Sequence, residues 1–174
     1  MVSMIEAIKK RRSIRRYIDQ KIEDEKLEEL LYAGLFSPSA YNKSPWHFII
    51  VKKDKMRQQL SRCTNFSSFA KEAPVLIVIA TDEDAPARWV ENCSVAAAHI
   101  YLEATAQGLG TCWIQIYDMD TPDGDDAEAY VKKLLKIPEG SRVLCAMSVG
   151  YPAENLPEHN KEKLDRNKFH TEKW

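Results

Sequence analysis

A repeat of leucines marks the first clear helix of the chain. Leu27, Leu30, Leu31 and Leu35 recur at i, i+3, i+4 and i+8, which is the spacing of one helix face. The spacing predicts a helix that begins near Asp24 and buries these four side chains.

Uninterrupted apolar runs predict the strands. The segment PVLIVIAT (74–81) has six consecutive apolar residues after a proline, which suits the start of a strand buried on both faces. Three further runs, HFIIVKK, TCWIQIY and RVLCAMSVG, have strand character and complete the predicted sheet. Helices come first and then alternate with strands, so we expect an α+β three-layer sandwich.

The stretch ENCSVAAAHIYLEATAQGLGTCW (91–113) predicts a buried central helix. Its polar residues Asn92, His99 and Glu103 follow one line, and small or apolar residues cover nearly all the rest. Gly108 is placed to end the helix. We expect the sheet on one side of this helix and a second copy of the chain on the other.

The two ends of the chain carry different signals. Ser3 and Glu6 fit a capping box for a short helix that runs to about Lys10. The tail (152–174) has little periodicity but contains Phe169 and Trp174, so we expect an extended C-terminal arm that docks on a neighbouring subunit.

Length, charge and cysteine content limit the kind of protein that this sequence can encode. The 174 residues predict a single domain (1–174) that includes this arm, and the net charge of −1 gives no global field for nucleic acid or an anionic membrane. The four cysteines form no CxxC pair, so we expect reduced thiols, mostly buried. We see no charged leader and no apolar run of ~18 residues, so a cytoplasmic protein is expected.

The segment RRSIRRY, directly after the first helix, is the first candidate site. In an extended backbone Arg11, Ser13 and Arg15 project to one side, whereas Arg12 and Ile14 project to the other. Guanidinium groups and a hydroxyl in such a row suit an elongated anion such as a phosphate ester. A solvated basic surface is the alternative. Nucleic-acid binding is a third reading, disfavoured by the charge balance and by the lack of interleaved exposed aromatics.

The loop PSAYNKSPW (38–46) is the second candidate. Its small and amide side chains at Ser39, Ala40 and Asn42 leave room for a flat polar ring. No nucleophile and base form a recognisable set, so covalent catalysis by the protein is not expected. No metal site is predicted, because His99 and Glu103 at i, i+4 favour a helix-surface contact over a metal.

Five segments in this order resemble the nitroreductase family: MIEAIKKRRSIRRY, PSAYNKSPWHF, EAPVLIVIA, AQGLGTCWI and VGYPAE. The resemblance covers roughly residues 4–155. It implies a three-layer α/β/α sandwich with a mostly antiparallel central sheet. It also implies a homodimer with two identical FMN sites at the subunit interface, in which the alanine-rich side of the central helix forms the dimer core. It also implies ping-pong transfer of electrons from NADH or NADPH to nitroaromatics, quinones or related electron-poor compounds.

The resemblance also assigns residues to the flavin. Arg11, Arg12, Ser13 and Arg15 would hold the phosphate, the ribityl chain and the pyrimidine edge, and Arg15 would tune the flavin potential. The second subunit would supply Pro38, Ser39, Ala40 and Asn42. Ile114 and Gln115 would cover the other ring face, and Lys161 and Lys163 would complete the phosphate site.

Two positions depart from the family pattern. Ser44 stands where glutamine is frequent, and Gln115 stands where glycine commonly follows Trp-Ile. Both affect the expected substrate side. The alternative reading is a non-catalytic or specialised flavin-binding module, either flavin-fragmenting or dehalogenase-like. The sequence does not distinguish NADH from NADPH.

Overall fold

A computed structural model describes residues 3–85 and 87–174. The described residues form five α-helices, which are α1 (Met4–Lys10), α2 (Asp24–Leu35), α3 (Asp54–Leu60), α4 (Trp89–Ala106) and α5 (Ala127–Leu135). They also form four strands, which are β1 (Trp46–Val51), β2 (Val75–Thr81), β3 (Gly110–Gln115) and β4 (Val143–Gly150). Short 3₁₀ helices lie at Ala40–Asn42, Ser68–Glu72, Lys161–Lys163 and Arg166–Lys168.

The four strands form one antiparallel sheet in the order β1-β2-β4-β3. Strand β2 is buried at every position, which confirms its prediction as a central strand. The last strand in sequence, β4, lies inside the sheet, so β3 is an edge strand. That position of β3 decides which backbone groups are available to a ligand.

Two hydrophobic cores lie on the two faces of the sheet, which confirms the three-layer α/β/α prediction. Alternate β2 residues such as Ile77 pack with α2 and α4, and the residues between them, such as Val78, pack with Leu60 of α3 and Val131 of α5. The period of two along a strand sends neighbouring side chains to opposite faces. A fully apolar strand therefore serves both cores.

The central helix α4 ends as predicted. Gly108 has φ +75°, its N–H donates to the Thr105 carbonyl at 3.1 Å, and the Leu109 N–H donates to the Ala104 carbonyl at 2.8 Å. This pair of bonds is a Schellman motif, in which a left-handed glycine closes the helix. The chain then turns directly into β3.

Two details of helix packing differ from the sequence prediction. The alanine-rich side of α4 does not form one outer face, because Ala97 is 0% exposed inside this chain whereas Ala98 is exposed. Leu35 was expected to be buried but is 52% exposed. Eight residues advance a helix by about 80° beyond two full turns, which rotates Leu35 away from the direction of Leu27 and the sheet.

The first part of the tail contacts the N-terminal segment of the chain. Pro152 pairs with Tyr17, and the His159 N–H donates to the Lys9 carbonyl at 3.0 Å. Residues 161–174 are exposed throughout. Among the residues described, no helix combines the length and the apolar character that crossing a membrane requires.

Candidate active site

The arginine segment lies along the free edge of β3. Ser13 forms a parallel bridge with Thr111, and the Ile14 N–H donates to the Thr111 carbonyl at 2.9 Å. The approach is close, since a Cβ on Gly110 would lie 2.8 Å from the Ile14 Cβ. Buried Ile14 thus fixes the segment, and its polar neighbours project away from that contact.

Tyr101 of α4 joins two of the predicted residues. Its hydroxyl lies 3.2 Å from the Ser13 Oγ, and the Arg11 guanidinium lies 5.0 Å from the centre of its ring. The predicted common direction of Arg11 and Ser13 is therefore observed. Sequence reasoning counted Tyr101 only as part of the apolar surface of the helix. Its hydroxyl was the available signal, since a phenol needs a polar partner.

Arg15 points along the segment to a second aromatic ring. Its guanidinium lies 5.7 Å from the centre of the Phe69 ring. The backbone N–H groups of Arg15 and Arg16 both donate to the Glu154 carboxylate, at 2.6 and 3.1 Å. Glu154 therefore fixes the backbone from which Arg15 extends, and it was not predicted.

A pocket of about 480 Å³ collects Arg15, Ile114 and Gln115. The remaining lining residues are Thr64, Asn65, Phe66, Ser68, Phe69, Trp113 and Met119. The Ser67 hydroxyl, which is fully buried, accepts the Thr64 N–H at 3.0 Å and donates to nearby carbonyls. These bonds hold the turn that presents Phe66, whose ring is 76% exposed at the pocket.

The side chain of Gln115 is held by its neighbours. The Trp113 Nε1 donates to the Gln115 Oε1 at 2.8 Å, and the Gln115 Nε2 donates to the Tyr117 carbonyl at 2.8 Å. One amide thereby links Trp113 of β3 to Tyr117, which lies just beyond the strand. The departure from glycine at this position therefore provides a hydrogen-bonded floor for the pocket.

The backbone of Gln115 faces the open edge of the sheet. The Thr111 carbonyl points outward to Ile14, and outward positions recur at every second residue of an edge strand. Trp113 and Gln115 therefore direct their N–H and C=O groups away from β4 as well. These groups lie where a planar polar ring can bind them.

The arginines carry uncompensated charge. Among residues 3–85 and 87–174, no carboxylate lies within ion-pair distance of Arg11, Arg12 or Arg15. Arg12 donates instead to the Pro157 carbonyl, and an Arg11 nitrogen lies 3.3 Å from the His159 Nε2. A row of unpaired guanidinium groups beside a hydroxyl is suited to an anion.

The tail reaches this row through residues that sequence reasoning missed. Pro157 and His159 contact the arginines, whereas the two lysines assigned to the phosphate lie further along the tail. Lys161 lines a pocket of about 800 Å³ with Lys9 and His159, and Lys163 lies on the exposed 3₁₀ turn. His159 belongs to no recognisable sequence motif, so its contact with Arg11 becomes visible only in the fold.

The second candidate, the loop at 38–46, lies apart from the arginine segment of the same chain. The Ala40 N–H donates to the Asn92 Oδ1 at 2.8 Å, and the Ser44 N–H donates to the Ser39 Oγ at 2.8 Å. Pro38, Asn42 and Ser44 are exposed. Asn92 and Tyr101 are nine residues apart on α4, which puts them on opposite faces and about 14 Å apart along the axis. The structure therefore separates this loop from the arginine segment of its own chain.

The four cysteines are free and buried, as expected from the sequence. Burial raises the pKa of each thiol, for Cys93 to about 12, so these groups remain protonated. Within the described ranges, no three His, Cys, Asp or Glu side chains are grouped to hold a metal ion. His99 instead lies 2.8 Å from the Ser37 hydroxyl through its Nδ1.

The sequence also matches a known protein family. A sequence model of the nitroreductase family matches residues 8–65 and 54–151. The chain belongs to the nitroreductase family. The family predicted from the sequence motifs is thereby confirmed.

Individual relatives within and around the family match over nearly the whole chain. A Methanothermobacter thermautotrophicus protein, provisionally named NADH dehydrogenase/NAD(P)H nitroreductase, is 35% identical and aligns with 99% of this chain and 88% of its own. A solved FMN-dependent nitroreductase from Clostridium difficile R20291 is 38% identical with a TM-score of 0.94, covering 98% and 99% of the two chains. A Vibrio harveyi NADPH:FMN oxidoreductase complexed with NAD⁺ shares the fold, at 22% identity and a TM-score of 0.81, covering 98% and 77%.

Proposed function

We propose that this nitroreductase-family chain is an FMN-dependent oxidoreductase that transfers electrons from NADH or NADPH to electron-poor small molecules. The observation that carries the proposal is the unpaired arginine row that leads from the tail to the pocket beside Gln115. Phosphate, a polyhydroxylated chain and a flat ring are joined in that order in FMN. The named FMN and NAD(P)H relatives support the same cofactors.

The residues present fit FMN. Arg11 and Arg12, with no carboxylate partner among the residues described, suit the phosphate, and the Ser13 hydroxyl suits the ribityl chain. Arg15 is assigned to N1 and the C2 carbonyl of the ring. The pocket of about 480 Å³ has aromatic walls and an edge strand with outward amides at Gln115, as a planar heterocycle requires.

The chemistry of the reaction belongs to the cofactor. FMN, when bound, accepts electrons from a nicotinamide and passes them to a second substrate. The chain would bind and orient it, and the Arg15 charge would stabilise negative charge near N1. Phe66, Phe69 and Trp113 form an aromatic part of the pocket wall. In the proposed ping-pong order, donor and acceptor would use the same site in turn.

We further propose that two copies of the chain build each site. The Pro38–Ser44 loop and Tyr101 lie on opposite faces of α4, so the loop of one chain serves the ring bound by another. A broad apolar surface supports such a dimer. Its exposed residues are Met4, Ile5 and Ile8 of α1, Leu35 and Phe36 at the end of α2, and Val95 of α4.

Part of this apolar surface is a groove. Met4, Phe36 and Leu102 line one groove of about 580 Å³ between α1, α2 and α4. A contiguous apolar surface of this kind typically marks an interface. The single-domain organisation with an arm at 152–174 fits the same dimer, in which Phe169 and Trp174 dock on the partner and Lys161 and Lys163 approach a phosphate.

Cofactor choice and turnover test the proposal together. Apoprotein should bind FMN more tightly than riboflavin, because only FMN presents a phosphate to Arg11 and Arg12. Steady-state reduction of a nitroaromatic and a quinone should give parallel double-reciprocal lines, as ping-pong kinetics require. Equal affinity for riboflavin would remove the phosphate assignment. FMN binding without turnover of any acceptor would favour the non-catalytic flavin module.

A further inference from the structure

Two polar side chains of α4 hold the loop that follows α2. The Asn92 Oδ1 accepts the Ala40 N–H at 2.8 Å, and the His99 Nδ1 lies 2.8 Å from the Ser37 Oγ. Seven residues separate Asn92 from His99, so both project from nearly the same face of the helix. The two contacts bracket Pro38 and Ser39.

The orientation of the Asn92 amide is fixed by this contact. A flipped amide would direct its NH₂ group at the Ala40 N–H, and two donors cannot bond. The Asn92 Nδ2 must therefore point the other way. That atom is buried and has no hydrogen-bond partner among the described residues, and Asn92 as a whole is only 4% exposed. A buried donor without an acceptor calls for a functional explanation.

The held loop has a strained backbone. Tyr41, Asn42 and Ser44 have φ values of 57°, 53° and 45°, in the region that glycine favours. The Tyr41 ring is 85% exposed and so gains little from packing within the chain. Strained conformations persist only where the surroundings determine them, and they concentrate at sites that bind ligands or partners. The contacts of the loop with Asn92 and His99 of α4 are among the interactions that determine its conformation.

We propose that Asn92 and His99 form a two-point clamp that positions the Pro38–Asn42 loop for the flavin site of the second subunit. The inference rests on the proposed function. Because the Nδ2 is enclosed within this chain, the Ala40 contact is the hydrogen bond of the amide, and that contact is the role we assign to a polar side chain in the core. Asn92 and His99 are positioning residues, because they act on the neighbouring site through the loop.

A heterodimer with one defect in each chain tests the clamp. One chain carries Asn92→Leu, which removes the Ala40 contact, and the other carries Arg15→Ala, which damages the flavin site of its own chain. Different affinity tags allow the heterodimer to be purified. If Asn92 acts across the interface, one of the two sites contains no defect, and the heterodimer should show about half the wild-type kcat per dimer.

Both homodimers should be at least roughly tenfold lower in kcat/KM for the acceptor. If Asn92 acts within its own chain, each site of the heterodimer is damaged, and its activity should match the homodimers. That result would overturn the clamp while leaving the proposed function intact. A wild-type protein that binds no FMN would overturn both. Gln58→Leu on α3 is the matched control, since it removes an exposed amide on the other side of the sheet.

Two further variants separate the parts of the clamp. If Asn92→Leu does not fold, His99→Leu takes its place in the same heterodimer, with His99→Gln as the variant expected to rescue the Ser37 contact.

Discussion

The hydroxyls of Ser13 and Tyr101 lie 3.2 Å apart and join the arginine segment to the central helix. The two residues are distant in sequence and meet because Ile14 is anchored on β3, the strand that α4 leads into through Gly108. Arg11 stacks on the same tyrosine ring. Helix α4 therefore holds the proposed phosphate and ribityl site with Tyr101 and the loop for the second subunit with Asn92.

Tyr101→Phe tests the first of these contacts. The substitution keeps the ring under Arg11 and removes the hydroxyl that contacts Ser13. A neutral hydrogen bond contributes about 0.5–1.5 kcal/mol, so FMN should bind roughly 2- to 12-fold more weakly. Fluorescence quenching of FMN by apoprotein measures the change. Tyr32→Phe, on the exposed side of α2, is the control. Equal affinities in all three proteins would show that Ser13 needs no support from Tyr101.

Arg15→Ala should lower the midpoint potential of the flavin. Loss of a charge-assisted hydrogen bond of ~1.5–3 kcal/mol corresponds to about 30–65 mV for a two-electron couple. Anaerobic titration against a dye of known potential measures it, and Arg15→Lys should recover part of the shift. Arg16→Ala is the matched control, because the backbone N–H groups of Arg15 and Arg16 bind the same Glu154 carboxylate. A potential that stays the same or rises would refute the role of Arg15.

Ala98→Trp should dissociate the dimer and release FMN together. Ala98 is exposed on the same side of α4 as Val95 and Leu102. Overpacking costs about 1–3 kcal/mol at each of two symmetry-related copies, so the dissociation constant should rise roughly 30-fold or more. Sedimentation and flavin content measure both effects, with Lys133→Trp on exposed α5 as the control. A monomer that retains FMN would break the link between assembly and cofactor.

Alkaline pH should destabilise the fold through its buried thiols. The pKa of Cys93 is raised from 9.0 to about 12 by burial, so above pH 9 the unfolded chain loses this proton first. Its stabilising contribution is complete below pH 9 and falls by up to about 1.4 kcal/mol per pH unit as the pH rises towards 12. Urea unfolding with reductant at pH 8 and pH 10 measures the slope. Cys93→Ala should show a shallower slope, and an unchanged slope would contradict the assignment.

Local sequence patterns were sufficient for the elements and their layers. The apolar run of β2 and the Gly108 stop after α4 each follow from short-range rules, and both are observed. The position of β4 inside the sheet is a matter of long-range pairing, which periodicity does not encode. The exposure of Leu35 and the burial of Ala97 depend on where each helix is placed against the sheet.

Only part of the candidate site could likewise be predicted from local sequence patterns. A row of arginines is visible in the sequence, but its partners come from distant elements, such as Tyr101 from α4 and His159 from the tail. The sequence shows that Asn92 lies on a polar line of α4, but it does not show which residue Asn92 contacts. The contact between Asn92 and Ala40 depends on the conformation of the Ser37–Ala40 segment, which no local pattern determines.

The central claim is that the protein carries electrons on FMN from a nicotinamide donor. An anaerobic titration of the FMN-loaded protein with NADH, and separately with NADPH, tests it most directly. The account predicts that the flavin absorption bleaches at one equivalent of the preferred donor per flavin and returns when a nitroaromatic or quinone is added. A protein that remains colourless after incubation with FMN, or a bound flavin that neither donor bleaches, would contradict the account.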